Sequence, residues 1–206
     1  MIFCRLDLYF FPILDIYTPI DRTILGYKEL FSPIRRFSMK KAAVIHDLSG
    51  FGKCSLTAAI PVLSALGVQC CPVATAVLTG QTGYPCYHCT DLTAMLPDYI
   101  DAWGKNNAHF DAIYSGFLTG AEQISQVLDF IRYFREEHTL LLVDPVMGDD
   151  GNAYPFFTPG LLNGMKELTL EADVITPNLT EACLLADIPE NALLHCRTNT
   201  DLLKLA

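Results

Sequence analysis

The chain has little basic charge and no long apolar run. Among its 206 residues, lysine and arginine number 14 against 23 aspartates and glutamates, which gives a formal net charge of −9. A broad nucleic-acid interface needs clustered positive charge, so we expect no nucleic-acid partner. No uninterrupted apolar stretch reaches the length of about 18 residues that a membrane-spanning helix requires, so we expect no membrane partner. Internal repeats and low-complexity tracts are also absent from the sequence.

The composition is that of a folded domain with reduced thiols. Hydrophobic residues make up 51% and charged residues 18%, which excludes a disordered chain. The eight cysteines are spread thinly, and pairs such as Cys70-Cys71 lie in apolar stretches. Disulfide frameworks belong mainly to short secreted scaffolds. We therefore predict free thiols acting as small core side chains in a cytoplasmic protein.

Residues 1–38 differ in composition from the rest of the chain. They are rich in Phe and Tyr and slightly basic, whereas residues 39–206 carry the acidic excess. The segment lacks the basic start, clean apolar run and small-residue cleavage site of a signal peptide. Met39, followed by two lysines and an apolar run, looks like a natural start. Residues 1–38 are therefore expected to be an added extension or the product of a misassigned start, and residues 39–206 the start of the folded domain.

After Met39, strand-like and helix-like segments alternate. The apolar patterns predict strands over residues 42–46, 68–78, 111–116, 139–143 and 172–176. They predict helices over residues 54–66, 92–103, 121–135, 158–168 and 178–186. Strands separated by crossover helices indicate an α/β fold with a mostly parallel sheet. The continuous apolar run 139–143 suggests a strand that is buried on both faces.

Small, polar and acidic residues follow each predicted strand. The five clusters are Asp47–Gly50, Thr79–Gly83, Ser115–Phe117, Asp144–Asp149 and Thr176–Glu181. In open α/β sheets, ligands bind outside the carboxyl ends of the strands. The sequence therefore predicts a binding site at this edge of the sheet, with His46 the histidine nearest to it.

Two conspicuous motifs are incomplete. The string Gly-Phe-Gly-Lys-Cys-Ser over residues 50–55 has Ser55 where a dinucleotide fingerprint needs its third glycine. It is not a Walker A loop, because Asp47 stands where that motif has glycine and Cys54 replaces its Ser or Thr. The string Cys-Tyr-His-Cys over residues 86–89 lacks the second ligand pair that a structural zinc site requires. An ordinary strand–helix turn remains an alternative for the first string.

The two carboxylates at the predicted edge each have a functional and a structural interpretation. Asp144 follows an apolar strand, where it could hold Mg²⁺ or cap the next turn. Asn178 suits a helix N-cap, with Glu181 three residues later as its reciprocal partner. Glu181 could also act with Asp144 in ordering metal and phosphate. The two interpretations are compatible.

Taken together, these strings resemble the pyridoxal/pyridoxamine kinases of the ribokinase-like superfamily. The resemblance covers the chain from about Met39 to Pro189 and rests on five segments: His46–Gly52, Thr75–Tyr84, Asp111–Leu118, Asp144–Gly148 and Thr176–Glu181. Asp-Pro-Val-Met-Gly and Thr-Pro-Asn-x-x-Glu are shared with hydroxymethylpyrimidine kinases, which are the alternative. The Ser-Gly-Phe-Leu segment and the Thr-Gly-Tyr loop favour the pyridoxal branch. The resemblance implies a three-layer sandwich with a mostly parallel central sheet.

The resemblance also implies residue roles. Ser49 would bind the polar edge of the pyridine ring, Thr82 and Gly83 would close over it, and Phe117 would stack on it. The implied ATP- and phosphate-binding residues are Asp144, Thr176, Asn178 and Glu181, with Asp144 and Glu181 serving Mg²⁺. The implied reaction transfers the γ-phosphoryl group of ATP to the 5′-hydroxymethyl group of pyridoxal, pyridoxine or pyridoxamine. The family also suggests a homodimer.

One family feature is missing from the sequence. Family members continue to a Gly-(Thr/Val)-Gly-Asp motif, whose Asp is the catalytic base and whose amides hold phosphate charge. No glycine follows Glu181 in this chain. We therefore expect a fold that is incomplete at its C-terminus, no catalytic residue in this chain and no useful turnover of pyridoxal. A non-catalytic kinase remnant is the alternative from outside the enzyme class.

Overall fold

The computed structural model describes residues 39–188, which build a six-stranded sheet. Its strands are β1 (Lys41–Ser49), β2 (Gln69–Leu78), β3 (Cys89–Asp91), β4 (Ala112–Ser115), β5 (Leu140–Val143) and β8 (Val174–Ile175). Across the sheet they stand in the order β3-β2-β1-β4-β5-β8. All neighbours pair in parallel except β2 and β3. A small hairpin, β6 (Gly148–Asp149) and β7 (Asn152–Ala153), lies apart from this sheet. The expectations for residues 1–38 and for the chain after Ile188 lie outside the described residues.

Residues 39–188 contain five α-helices, of which four connect strands and the last follows β8. They are α1 (Ser55–Ala65), α2 (Leu96–Lys105), α3 (Ala121–Phe134), α4 (Pro159–Leu170) and α5 (Leu179–Leu185), and a 3-10 helix (Thr93–Met95) leads into α2. Helix α1 ends before Gly67, whose φ of +75° suits glycine. Within residues 39–188, no helix combines the length and apolar character needed to cross a bilayer.

The helices cover the two faces of the sheet unequally. On one face, Ile45, Ile113 and Leu141 pack with helices α2, α3 and α4 in the larger core cluster. On the other face, Ala42 and Val44 pack against Leu56 of α1. Because helices lie on both faces of a mostly parallel sheet, the predicted three-layer α/β sandwich is confirmed.

Three details of the sheet differ from the sequence-based expectation. Strand β1 continues to Ser49 through a register shift between His46 and Leu48, so Asp47 and Ser49 belong to the strand and do not follow it. The three-residue edge strand β3 was not predicted. The prediction that β5 is buried on both faces is wrong, because α1 packs mainly on β1 and β2 and leaves Leu140 45% exposed.

The cysteine prediction holds for only some of the thiols. Cys54, Cys70, Cys71, Cys86 and Cys89 are free thiols. Cys70 and Cys71 pack against the two core clusters, and burial raises the pKa of Cys70 to about 11. Cys86 and Cys89 are exposed, so for them the interpretation as core side chains is wrong.

Candidate functional site

A cavity of about 520 Å³ opens at the carboxyl ends of the central strands. Its walls come from the end of β1, one side of α1, Tyr114 of β4 and the segments that follow β2, β4 and β5. The polar and aromatic side chains on these walls are His46, Asp47, Ser49, Cys54, Ser55, Gln81, Thr82, Tyr114, Phe117, Asp144, Tyr154 and Phe156. This cavity therefore lies at the edge of the sheet where the sequence predicts a binding site, as expected for a parallel sheet.

The end of β1 supplies a buried polar pair. Asp47 and Ser49 are two residues apart on an extended strand and lie on the same side of it. Ser49 Oγ donates a hydrogen bond to Asp47 Oδ2 at 2.8 Å, and both residues are buried. Burial opposes ionisation of Asp47, but the hydroxyls of Ser55 and Ser49 donate to its carboxylate, and the pKa of Asp47 lies below its usual value. An ionised Asp47 only accepts, which leaves the lone pairs of Ser49 for a ligand.

Aromatic side chains form another part of the cavity wall. The Phe117 ring meets Phe156 edge-on, with ring centroids 5.8 Å apart. Tyr114 meets the His46 ring at 5.5 Å in the same kind of arrangement. Burial raises the pKa of Tyr114 to about 12, and the nearby charge of Asp144 adds to that shift, so this phenol stays protonated. The wall is suited to a flat ring.

Asp144 gives the cavity its acidic end. It follows β5 directly, and its main-chain N–H donates to Ser115 O at 2.8 Å. Thr176 Oγ1 donates to Asp144 Oδ1 at 3.4 Å. Burial raises the pKa of Asp144 above its ordinary value, although the hydrogen bond from Thr176 acts in the opposite direction. The carboxylate is thus held in a place where a bound cation would favour its charged form.

Glu181 and Asn178 support the loop that follows Asp144. Asn178 caps α5, and Glu181 completes the predicted capping box, with Asn178 N donating to Glu181 Oε2 at 2.8 Å. Glu181 Oε1 accepts from Met147 N at 3.2 Å, and Asn178 Nδ2 donates to Gly148 O at 2.8 Å. Burial raises the pKa of Glu181. Both side chains therefore fix the Asp-Pro-Val-Met-Gly loop, as well as the start of α5.

The loop after β2 approaches the turn after β1. Gln81 N donates to Phe51 O at 2.9 Å, and the rings of Phe51 and Tyr84 lie 4.9 Å apart. Thr82 lines the cavity, whereas Gly83 is exposed and does not. Gly52 adopts a φ of +107°, which glycine tolerates readily. The two turns together border the side of the cavity where Thr82 and Gly83 are predicted to close over the pyridine ring.

The structure gathers only part of the predicted set on the cavity wall. Ser49, Thr82, Phe117 and Asp144 line it, whereas Gly83, Thr176, Asn178 and Glu181 do not. Asp47 and Tyr114 were given no role in the site from the sequence, although the two-residue period of a strand would have joined Asp47 to Ser49. Tyr154 and Phe156 follow the small hairpin, and no sequence signal points to them. Ser55 has a left-handed φ of +50°, and strain of this kind clusters at ligand sites.

Asp144 and Glu181 are the candidate ligands for a metal. No group of three or more His, Cys, Asp or Glu side chains in residues 39–188 is arranged to hold a metal ion. Mg²⁺ does not need such a group, because it keeps several waters and binds one or two carboxylates together with substrate phosphates. The half-buried carboxylate of Asp144 in the cavity fits that donor set, whereas both oxygens of Glu181 already accept main-chain hydrogen bonds.

Comparison with known proteins identifies the family. The family model described as Phosphomethylpyrimidine kinase matches residues 52–204. The chain therefore belongs to the phosphomethylpyrimidine kinase family, whose ribokinase-like relatives include pyridoxal kinases. A pyridoxine/pyridoxal/pyridoxamine kinase of Bordetella avium is 35% identical over 143 residues, which are 66% of this chain and 47% of the relative.

Solved structures agree in fold. A candidate phosphomethylpyrimidine kinase from Bacteroides thetaiotaomicron, in a crystal form with pyridoxal, is 46% identical with a TM-score of 0.76, covering 81% of this chain and 57% of that one. Pyridoxal kinase from Lactobacillus plantarum is 34% identical with a TM-score of 0.69, covering 74% of this chain and 54% of that one. The chain thus spans little more than half the length of these proteins.

Proposed function

We propose that the chain binds vitamin B6 vitamers as part of an ATP-dependent pyridoxal, pyridoxine or pyridoxamine kinase. The observation that carries this proposal is the cavity, which is lined both by the aromatic side chains of Phe117 and Phe156 and by the polar pair Asp47 and Ser49. A substituted pyridine has the same division, with flat faces and a polar edge. The pyridoxal-containing relative from Bacteroides thetaiotaomicron supports this choice of ligand.

Each wall has a definite task in this proposal. Ser49 binds the polar edge of the pyridine ring, and because its proton is directed to Asp47, it accepts a hydrogen bond from the ligand. Phe117 stacks on the ring face. Thr82 lines the cavity and closes over the substrate together with Gly83, the next residue of the same loop. These contacts orient the 5′-hydroxymethyl group, and positioning is the main requirement of phosphoryl transfer.

The acidic end serves the nucleotide. Asp144 and Glu181 would hold Mg²⁺, which neutralises phosphate charge when it is bound. Thr176 and Asn178, at the start of α5, would face the ATP phosphates, where a helix N-terminus favours anions only weakly because α5 is short. For the whole protein, we propose phosphorylation of the hydroxymethyl group, assembly as a homodimer and a cytoplasmic location.

A hydroxymethylpyrimidine kinase is the second candidate. It is favoured by the description of the matched family model. The two candidates differ in the ring that the cavity accepts, since a pyrimidine presents a second ring nitrogen and an amino group to the polar edge. A ligand panel separates them directly.

Calorimetric titration of the purified chain tests the proposal. We expect saturable binding of pyridoxal and weaker binding of hydroxymethylpyrimidine. Ser49→Ala should weaken pyridoxal binding about 3- to 10-fold, the range for one lost hydrogen bond. Ser64→Ala is the matched control, because Ser64 is exposed on α1 and outside the cavity. Tighter binding of the pyrimidine would select the second candidate, and binding of neither ring would leave the non-catalytic remnant.

Turnover needs a separate assay. The expected lack of vitamer-dependent turnover by this chain remains a prediction, and release of ADP with each of the three vitamers measures it. Robust release by the purified chain would contradict that prediction while supporting the proposed kinase function.

A further inference from the structure

We propose that His46 and Thr75 are positioning residues that hold Phe117 in place for the ligand ring, an inference that rests on the proposed function. Phe117 is only 9% exposed and forms part of the aromatic wall. Its ring position depends on a main chain that has just left a strand, since β4 ends at Ser115. Two side chains bind that main chain from opposite sides.

Both polar main-chain groups of Phe117 have side-chain partners. Phe117 N donates to His46 Nδ1 at 3.2 Å, and Thr75 Oγ1 donates to Phe117 O at 2.9 Å. Beyond a strand end, a buried N–H and C=O lose their ladder partners and need replacements. His46 comes from β1 and Thr75 from β2, so the two bonds tie Phe117 to two strands.

The His46 ring is oriented for this contact. Its Nδ1 lies 3.2 Å from Phe117 N and 3.5 Å from Asp47 Oδ1, so the main-chain contact is the shorter one. Because Nδ1 accepts, the neutral ring carries its proton on Nε2, which lies 3.5 Å from the Tyr114 hydroxyl. A side chain at Gly116 would collide with the imidazole, so glycine there permits the approach. His46 is itself only 5% exposed.

Thr75 is anchored just as firmly. It is fully buried in β2, and its carbonyl accepts from Gln123 Nε2 at 2.9 Å. Gln123 Oε1 in turn accepts from Thr119 N at 2.9 Å, two residues beyond Phe117. The segment 116–119 is therefore held on both sides of the aromatic residue, and the Phe117 ring is fixed relative to Ser49, which lines the same cavity.

Matched substitutions remove or keep each hydrogen bond. Thr75→Val deletes the hydroxyl with little change of shape, and Thr75→Ser keeps it. His46→Leu deletes the acceptor, whereas His46→Asn places an amide oxygen near the Nδ1 position. We expect Thr75→Val and His46→Leu each to weaken pyridoxal binding about 3- to 10-fold. Thr75→Ser and His46→Asn should keep most of the parent chain's affinity.

Repeating the four substitutions in a Phe117→Ala background separates positioning from general loss of structure. Once the ring is absent, Thr75→Val and His46→Leu should no longer change pyridoxal affinity, because coupled residues are non-additive. An unchanged several-fold loss in that background, or equal losses for Ser and Val, would overturn the proposal. A parent chain that binds no pyridoxal would instead overturn the proposed function.

A ligand-free readout tests the two contacts by themselves. Amide hydrogen exchange at Phe117 should be slow in the parent chain, faster in His46→Leu and slow again in His46→Asn. Fast exchange at Phe117 in the folded parent chain would show that the His46 contact does not hold the main chain, whatever the ligand does.

Discussion

At the scale of single residues, burial disfavours the ionised form of two carboxylates at the site. Asp144 and Glu181 both have raised pKa values because burial removes water from their carboxylates. A folded-state pKa above the unfolded value means that the ionised form destabilises the fold, and that this penalty disappears as the pH falls through the folded pKa. Such groups are typical of ligand sites, where a bound partner compensates the charge.

Asp144→Asn should therefore stabilise the ligand-free chain while removing its response to Mg²⁺. At neutral pH we expect the melting temperature to rise by about 2 °C, on the scale of roughly 2–4 °C per kcal/mol for a chain of this size. The difference in melting temperature between the parent chain and the variant should become smaller as the pH is lowered through the Asp144 pKa. Scanning calorimetry with and without Mg²⁺ measures both effects. Asp149→Asn, at an exposed position, is the control, and a lower melting temperature for Asp144→Asn would contradict the argument.

At the scale of elements, strand β5 is buried on one side only. Leu141 is fully buried against the helices α3 and α4, whereas its neighbour Leu140 is 45% exposed on the face that α1 does not reach. Leu141→Ala should lower the free energy of unfolding by about 2–5 kcal/mol, and Leu140→Ala by no more than about 0.5 kcal/mol. Urea denaturation of the two variants compares them within one strand. Equal costs would mean that both faces of β5 are covered.

Elements were predictable where their pattern is long. In α3, Ile124, Val127, Leu128 and Ile131 recur at helical spacing, and all four are buried. Strand β3 and the hairpin of β6 and β7 contain two or three residues each, too few for any period to emerge. The register shift in β1 depends on how β2 pairs with it, so the sequence of β1 alone does not reveal it.

At the scale of the whole molecule, topology explains which parts of the site were predictable. Parallel strands place their carboxyl ends at one edge, so Ser49, Phe117 and Asp144 could be grouped from the sequence without knowing any distance. The supporting contacts could not be found in this way. Thr75 reaches Phe117 across 42 positions of sequence and Glu181 reaches Met147 across 34, and neither pairing follows from a local pattern.

The same topology predicts an order of hydrogen-exchange protection across the sheet. Strands β1 and β4 are central, each paired on both sides, whereas β3 pairs through three residues and β8 through two. Amides of Val44 and Ile113 should therefore exchange only through global unfolding, and those of Cys89–Asp91 and Val174–Ile175 through local opening. Mass-spectrometric exchange measures this order, and pyridoxal should slow exchange around Phe117 without changing the edge strands. Edge amides as protected as Val44 would indicate that another surface covers the edges, because strands held by so few hydrogen bonds do not resist opening by themselves.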